Sequence, residues 1–133
     1  IDASNQPSNV PAKVTGFSRV FNPKLSKHEN ITVLKSALSE GHPVVIGMGL
    51  PQSFYAIGTN GLFEPKSDDA KFVADYGGHA MAVIGYDDER FGGTFEIVNS
   101  WGSEWADNGF CYVKYDDFVL FTIISNLNTC SRY

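Results

Sequence analysis

The sequence predicts an α+β fold, a mainly antiparallel β-sheet or partly closed barrel with one short helix. Three observations carry that expectation. Beyond position 78, four runs rich in β-branched and aromatic residues (His79 to Tyr86, Thr94 to Val98, Phe110 to Tyr115 and Val119 to Ile124) are separated by turn-forming residues, as strands are. One earlier stretch, Ser26 to Gly41, carries helix start and stop signals. The chain's 133 residues, 43% hydrophobic and 14% aromatic, suffice for one packed domain with a core.

Residues 1–12 contain Asn5, Pro7, Ser8, Asn9 and Pro11 and are expected to form an extended N-terminal segment, with residues 13–133 as a single β-rich domain. Lys13 to Phe21 carries Val14, Thr15, Phe17 and Val20 and predicts a first strand, ended by Asn22-Pro23. Ser26-Lys27-His28-Glu29 matches a capping box, and Ile31, Leu34, Ala37 and Leu38 recur at helical spacing until Gly41, with Pro43 as a stop. Inside that helix, Asn30-Ile31-Thr32 is a glycosylation sequon, a tripeptide common by chance. Val44 to Gly49 is a short apolar run suited to a buried strand. Its glycines either admit a ligand backbone or mark a bend. They lack the third glycine and following helix of a dinucleotide fingerprint. Pro51 to Ala74 is the least regular stretch and is expected to wrap the sheet as loops and short strands. In the later strands, Cys111 between Phe110 and Tyr112 is expected to be a buried structural thiol.

Composition removes several function classes. Net charge is −5 with no Lys/Arg cluster, which argues against a nucleic-acid partner. No apolar run approaches the roughly 18 residues of a membrane span. Three histidines and two separated cysteines show no metal-ligand spacing, and Asp87-Asp88-Glu89 lacks the alternating ligands and central glycine of a calcium loop, so neither a metal nor another cofactor is expected. Cys111 and Cys130 permit at most one internal disulfide, too little to fix a redox compartment. Ile1-Asp2-Ala3-Ser4 has neither an initiator methionine nor a signal sequence, so trimming of a longer precursor is expected.

The chemistry concentrates in His79 and Asn99. A thiol or hydroxyl becomes a useful nucleophile when an imidazole takes its proton and a third group holds that imidazole in one tautomer. His79 would open one strand and Asn99 close the next, so a hairpin through Asp87 to Gly93 would bring them together. A neutral carboxamide orients a ring without adding a full negative charge, which suits an imidazolium resting beside a thiolate. Trp101 would then be an apolar lid over the bond between amide and ring.

His79-Ala80, Gly85-Tyr86 and Asn99-Ser100-Trp101-Gly102, followed by Trp105 and Asn108-Gly109-Phe110, resemble the C-terminal half of a papain-like cysteine peptidase. The likeness extends upstream through the helix ending at Leu38, Pro43-Val44-Val45-Ile46 and Phe54-Tyr55, so it runs from about Val14 to Tyr115. It implies the right-hand domain of that fold, with His79 as general base and acid, Asn99 orienting it, Trp101 shielding the pair and Trp105 walling the leaving-group side. It also implies that Gly47, Gly78 and Ala80 contribute to substrate binding, and that the setting is secreted, periplasmic or lysosome-like.

Two departures stand out. The residue before the histidine is usually Asp or Asn in the family's best-known members, and here it is Gly78. The family's nucleophilic cysteine lies roughly 130–150 residues before its histidine, which would place it at least about 50 residues before Ile1. Its oxyanion-hole glutamine would lie upstream too. The expected partner is therefore an N-terminal half of the same precursor bearing that cysteine, with a peptide or protein as substrate and this chain inactive alone. Cys111 and Cys130 both follow Asn99, the reverse of the family's order, and Ser100 lacks a Gly-x-Ser-x-Gly elbow. Two alternatives accompany this reading. One is a pseudopeptidase or peptide-binding module, and the other a homodimer that covers the orphaned apolar face.

Overall fold

The computed structural model describes residues 18–122. They form an α+β unit in which four strands make one antiparallel sheet of order β1-β2-β3-β4: β1 is Val44–Gly49, β2 Gly78–Asp87, β3 Thr94–Val98 and β4 Phe110–Lys114. Three α-helices, α1 (Lys27–Ser39), α2 (Gln52–Tyr55) and α3 (Tyr115–Phe121), and two 3₁₀ turns, Asp69–Asp75 and Arg90–Gly92, complete it.

Helix α1 begins as its sequence dictates, with Ser26 Oγ accepting from the Glu29 amide and the Glu29 carboxylate accepting from the Ser26 amide. Ile31 and Leu34 are its buried apolar residues. Asn30 is buried beside them and does structural work: Oδ1 accepts from Asn22 N–H at 2.9 Å, and Nδ2 donates to the carbonyls of Asn22, Leu25 and Ser26. The sequon asparagine is thus consumed in tying the incoming chain to the helix.

Strand β1 runs where the apolar run predicts. Val44, Ile46 and Met48 are buried while Val45 points out, the alternation of a sheet with one covered face. Register puts Ile46 opposite Met81 and Val44 opposite Val83, so Met81 and Val83 face the same core. Phe95 and Ile97 from β3 and Cys111 and Val113 from β4 continue that layer, and all four are 0% exposed. A chain of aromatic contacts closes it: Phe54 on Phe63, Phe63 on Phe121, and Phe118 on both Phe95 and Phe21.

Four expectations need correction. Residues 18–21 of the predicted first strand join no ladder, although Phe21 is buried, and the rest of that strand lies outside the described residues. Pro51 to Ala74 folds as α2 and a 3₁₀ turn instead of short strands, apart from a single bridge between Leu62 and Tyr112. Val119 to Phe121, predicted as strand, belongs to α3. Asp116 and Asp117 sit in its first turn, where the helix dipole favours acids, and Phe118 and Phe121 share its buried face three residues apart. There is accordingly more than one helix. The segment 1–12, the boundary at residue 13 and Cys130 lie outside the described residues.

Candidate active site

β2 starts one residue before His79, and β3 ends one residue before Asn99. Because the two strands are antiparallel neighbours with Ala82 opposite Val98, the beginning of one lies beside the end of the other. His79 Nε2 is 2.8 Å from Asn99 Oδ1. The Ser100 amide donates to the same oxygen at 2.8 Å, so that atom is an acceptor twice over and Nε2 must carry the proton. A neutral ring held this way presents its unprotonated nitrogen, Nδ1, away from the amide.

Trp101 stacks on the imidazole with ring centroids 5.1 Å apart and planes at 29°. The same indole stacks on Tyr55 at 4.7 Å and meets Phe54 and Trp105 edge-on. The Nε2–Oδ1 pair is part-buried, and a hydrogen bond is electrostatically stronger where less water reaches it. Trp105 lies 5.4 Å from Phe54 and packs edge-on against Trp101. Two buried donors here, Asn99 Nδ2 and Trp105 Nε1, have no protein acceptor among the described residues; ordered water commonly takes such groups. Tyr55, half exposed on the indole, was given no role by sequence reasoning, although Phe54-Tyr55 marks its place.

The loop behind Asn99 closes in a tight turn. Asn108 and Gly109 both have positive φ, 52° and 92°, and Asp107 and Phe110 exchange two backbone hydrogen bonds across them. Positive φ at both central residues is what a two-residue type I′ turn requires, and Asn-Gly is its strongest sequence signal. The Gly109 carbonyl accepts from the Asn99 amide at 3.0 Å, so this turn supports the backbone that carries Asn99.

Gly47 and Ala80 are register partners, as are Gly49 and Gly78. Successive side chains leave a strand on opposite faces. The Ala80 methyl therefore lies on the outer face of the sheet while the imidazole belongs to the row of Met81 and Val83. A Cβ built at Gly47 would meet nothing within 4 Å, which leaves this part of the outer face open. The structure brings His79, Asn99, Trp101 and Trp105 together, and Gly47, Gly78 and Ala80 form a separate adjoining surface.

Cys111 lies opposite Ile97 in the core layer, fully buried, and desolvation pushes its thiol up to about 12. It is the inert buried thiol that sequence predicts, and it faces no imidazole. Ser100 contributes its amide to Asn99.

The model for the papain family of cysteine proteases matches residues 3–130. The chain is 32% identical over 108 residues to an uncharacterized peptidase C1-like protein of Acanthamoeba polyphaga mimivirus, covering 78% of this chain and 33% of that protein. It is 28% identical over 105 residues to cysteine proteinase 3 of Entamoeba histolytica, covering 79% and 31%. It thus spans about a third of the length of these curated relatives. Among solved structures it resembles xylellain, a cysteine protease from Xylella fastidiosa, with TM-score 0.56, 25% identity, and coverage of 70% of this chain and 34% of that one. The bromelain protease from Ananas comosus, at TM-score 0.52 and 18% identity over 68% and 42% of the two chains, shares the fold.

Proposed function

The chain belongs to the papain family of cysteine proteases, and from that premise we propose that it supplies the base and its orienting amide to a peptidase site whose thiolate comes from a segment outside this sequence. One observation carries the reading: His79 Nε2 is fixed on Asn99 Oδ1 at 2.8 Å, leaving Nδ1 as the nitrogen available to a thiol. His79 Nδ1 takes the thiol proton, and the resulting thiolate attacks the scissile carbonyl, forming a C–S bond. The C–N bond then breaks as the imidazolium gives its proton to the leaving amine. Water, deprotonated by the same imidazole, adds to the thioester; the C–S bond breaks and the thiolate–imidazolium pair is restored. Asn99 holds the ring through each proton transfer, and Trp101 keeps water from the bond that holds it.

Cys111 does not serve as that thiol, since it sits in the core and its raised pKa disfavours the thiolate. The outer face of the sheet favours a completing segment. Register lines Val45, Ala82, Val98 and Phe110 across all four strands as one apolar row, none of them buried. A solvated sheet face ordinarily carries polar residues. We place the body of the completing segment against this face, wrapping past the start of β2 so that its thiol meets the imidazole, with a peptide as the substrate between the two.

The test mixes the chain with the upstream part of the same precursor and adds a thiol-directed peptide probe. Labelling of an upstream cysteine that disappears with His79→Ala is the expected result. No labelling of either polypeptide counts against a peptidase. It would favour the second reading, a pseudopeptidase or peptide-binding module.

A further inference from the structure

The orienting amide is only as well placed as the backbone that carries it. Asn99 N–H is held by the Gly109 carbonyl at 3.0 Å, and Gly109 N–H in turn donates to the Trp105 carbonyl at 2.8 Å. One position in this stretch is conformationally unfavourable on its own: Ala106, just before Asp107, adopts a left-handed φ of 51°, whereas Asn108 at 52° suits its turn. Such geometry persists where the surroundings over-determine it. The side chain of Asp107 supplies the tie. Its Oδ2 accepts from the Tyr112 hydroxyl at 2.9 Å and its Oδ1 from Asn108 Nδ2 at 3.2 Å.

Tyr112 is a firm anchor. It is 5% exposed, on the central part of β4. The Arg90 guanidinium lies 3.6 Å above its ring. Gly61 approaches so closely that a Cβ there would fall 2.8 Å from the same ring and 3.1 Å from the Asp107 Cβ. The polar contacts form a continuous line, from the Tyr112 hydroxyl to the Asp107 carboxylate, through the tight turn to the Gly109 carbonyl, to the Asn99 amide, and by its side chain to His79.

We propose that Asp107 is a positioning residue of this site, whose carboxylate, clamped by the Tyr112 hydroxyl, fixes the turn that aims Asn99 at the imidazole. The inference rests on reading His79 as the base and Asn99 as its orienting group. Asp107 touches neither substrate nor imidazole; it acts through Gly109. An amide at this position keeps an acceptor for the tyrosine hydroxyl, whereas alanine does not.

The experiment needs no turnover and uses the chain itself, with ¹⁵N-labelled histidine. Ring nitrogen shifts give the His79 tautomer, and solvent exchange gives the protection of its Nε2 proton. Wild type and Asp107→Asn should show the single Nε2–H tautomer. Asp107→Ala and Tyr112→Phe should each speed that proton's exchange about tenfold, the factor an ordinary hydrogen bond carries, and admit the other tautomer. The double variant should be no worse than either single one, as one shared interaction requires. A folded Asp107→Ala with an unchanged His79 signature overturns the proposal, as does loss in Asp107→Asn equal to that in Asp107→Ala. If Asp107→Ala does not fold, Tyr112→Phe decides, because it removes one hydroxyl and keeps the ring. Absence of the Nε2–H tautomer in wild type would instead overturn the pairing with Asn99, and with it the peptidase reading.

Discussion

At the residue scale, the difference between Asn30 and Asn99 shows what sequence can and cannot reveal. Asn99 was legible because its meaning lies in order and spacing: a histidine opening one strand, an amide closing the next, an indole two residues on. Asn30 was not, because a sequon carries no information about burial, and its four hydrogen bonds reach Asn22, Leu25 and Ser26 through the folded turn. Asn30→Ala should therefore destabilise the chain by roughly 2–3 kcal/mol in urea denaturation, since it strands buried backbone partners as well as losing bonds. Cys111 makes a second prediction. With a folded pKa of about 12 against an ordinary 9.0, its thiolate is scarce at pH 8, and alkylation at this position, read by peptide mass spectrometry, should appear only on unfolding. The raised pKa also has a sign. Its contribution to stability is complete below pH 9.0 and lost as pH climbs toward about 12, because the unfolded thiol ionises first.

At the element scale, local signals succeeded where the local interaction is the structure. Ser26 and Glu29 cap α1 reciprocally in the described residues as in the sequence pattern, and Ser26→Ala should cost about 1 kcal/mol in thermal unfolding. The stretch after Lys114 misled because Val119, Leu120 and Phe121 fit either period, and the deciding contacts, Phe118 on Phe21 and Phe121 on Phe63, are tertiary. The turn between β2 and β3 gives a pH prediction. The backbone amides of Glu89 and Arg90 hold the Asp87 carboxyl below its usual value, and hydrogen bonds from Lys35 and Tyr115 do the same for Asp88. Both depressed groups stabilise the turn above their ordinary pKa of 3.8 and release it as pH falls through the lower folded values. The protection of the Gly92 and Gly93 amides against hydrogen exchange, taken relative to the intrinsic rate at each pH, should hold at pH 5 and fall toward pH 2, since both are bonded within this turn.

At the scale of the whole molecule, the sheet has one face in a dense aromatic core and another whose central row, Val45, Ala82, Val98 and Phe110, is apolar without being buried. Sequence showed the strands, yet it could not show that this row exists, because the alignment of four residues from four strands is set by register. The row also gives the reading of the function its most direct mechanical test. Val45 is 53% exposed, so Val45→Lys should leave the stability of the chain alone within about 0.5 kcal/mol of wild type. If the thiol-bearing segment covers this face, the same lysine must lose its water on association, and affinity for that segment should fall by roughly tenfold or more. Sedimentation separates the occupants. A wild-type chain that is monomeric alone and binds the segment in a Val45-dependent way supports the divided site. A wild-type dimer that Val45→Lys dissolves gives the face to a second copy. Binding of the segment unaffected by lysine at 45 would put the interface on another surface and overturn the assignment of this face to the segment.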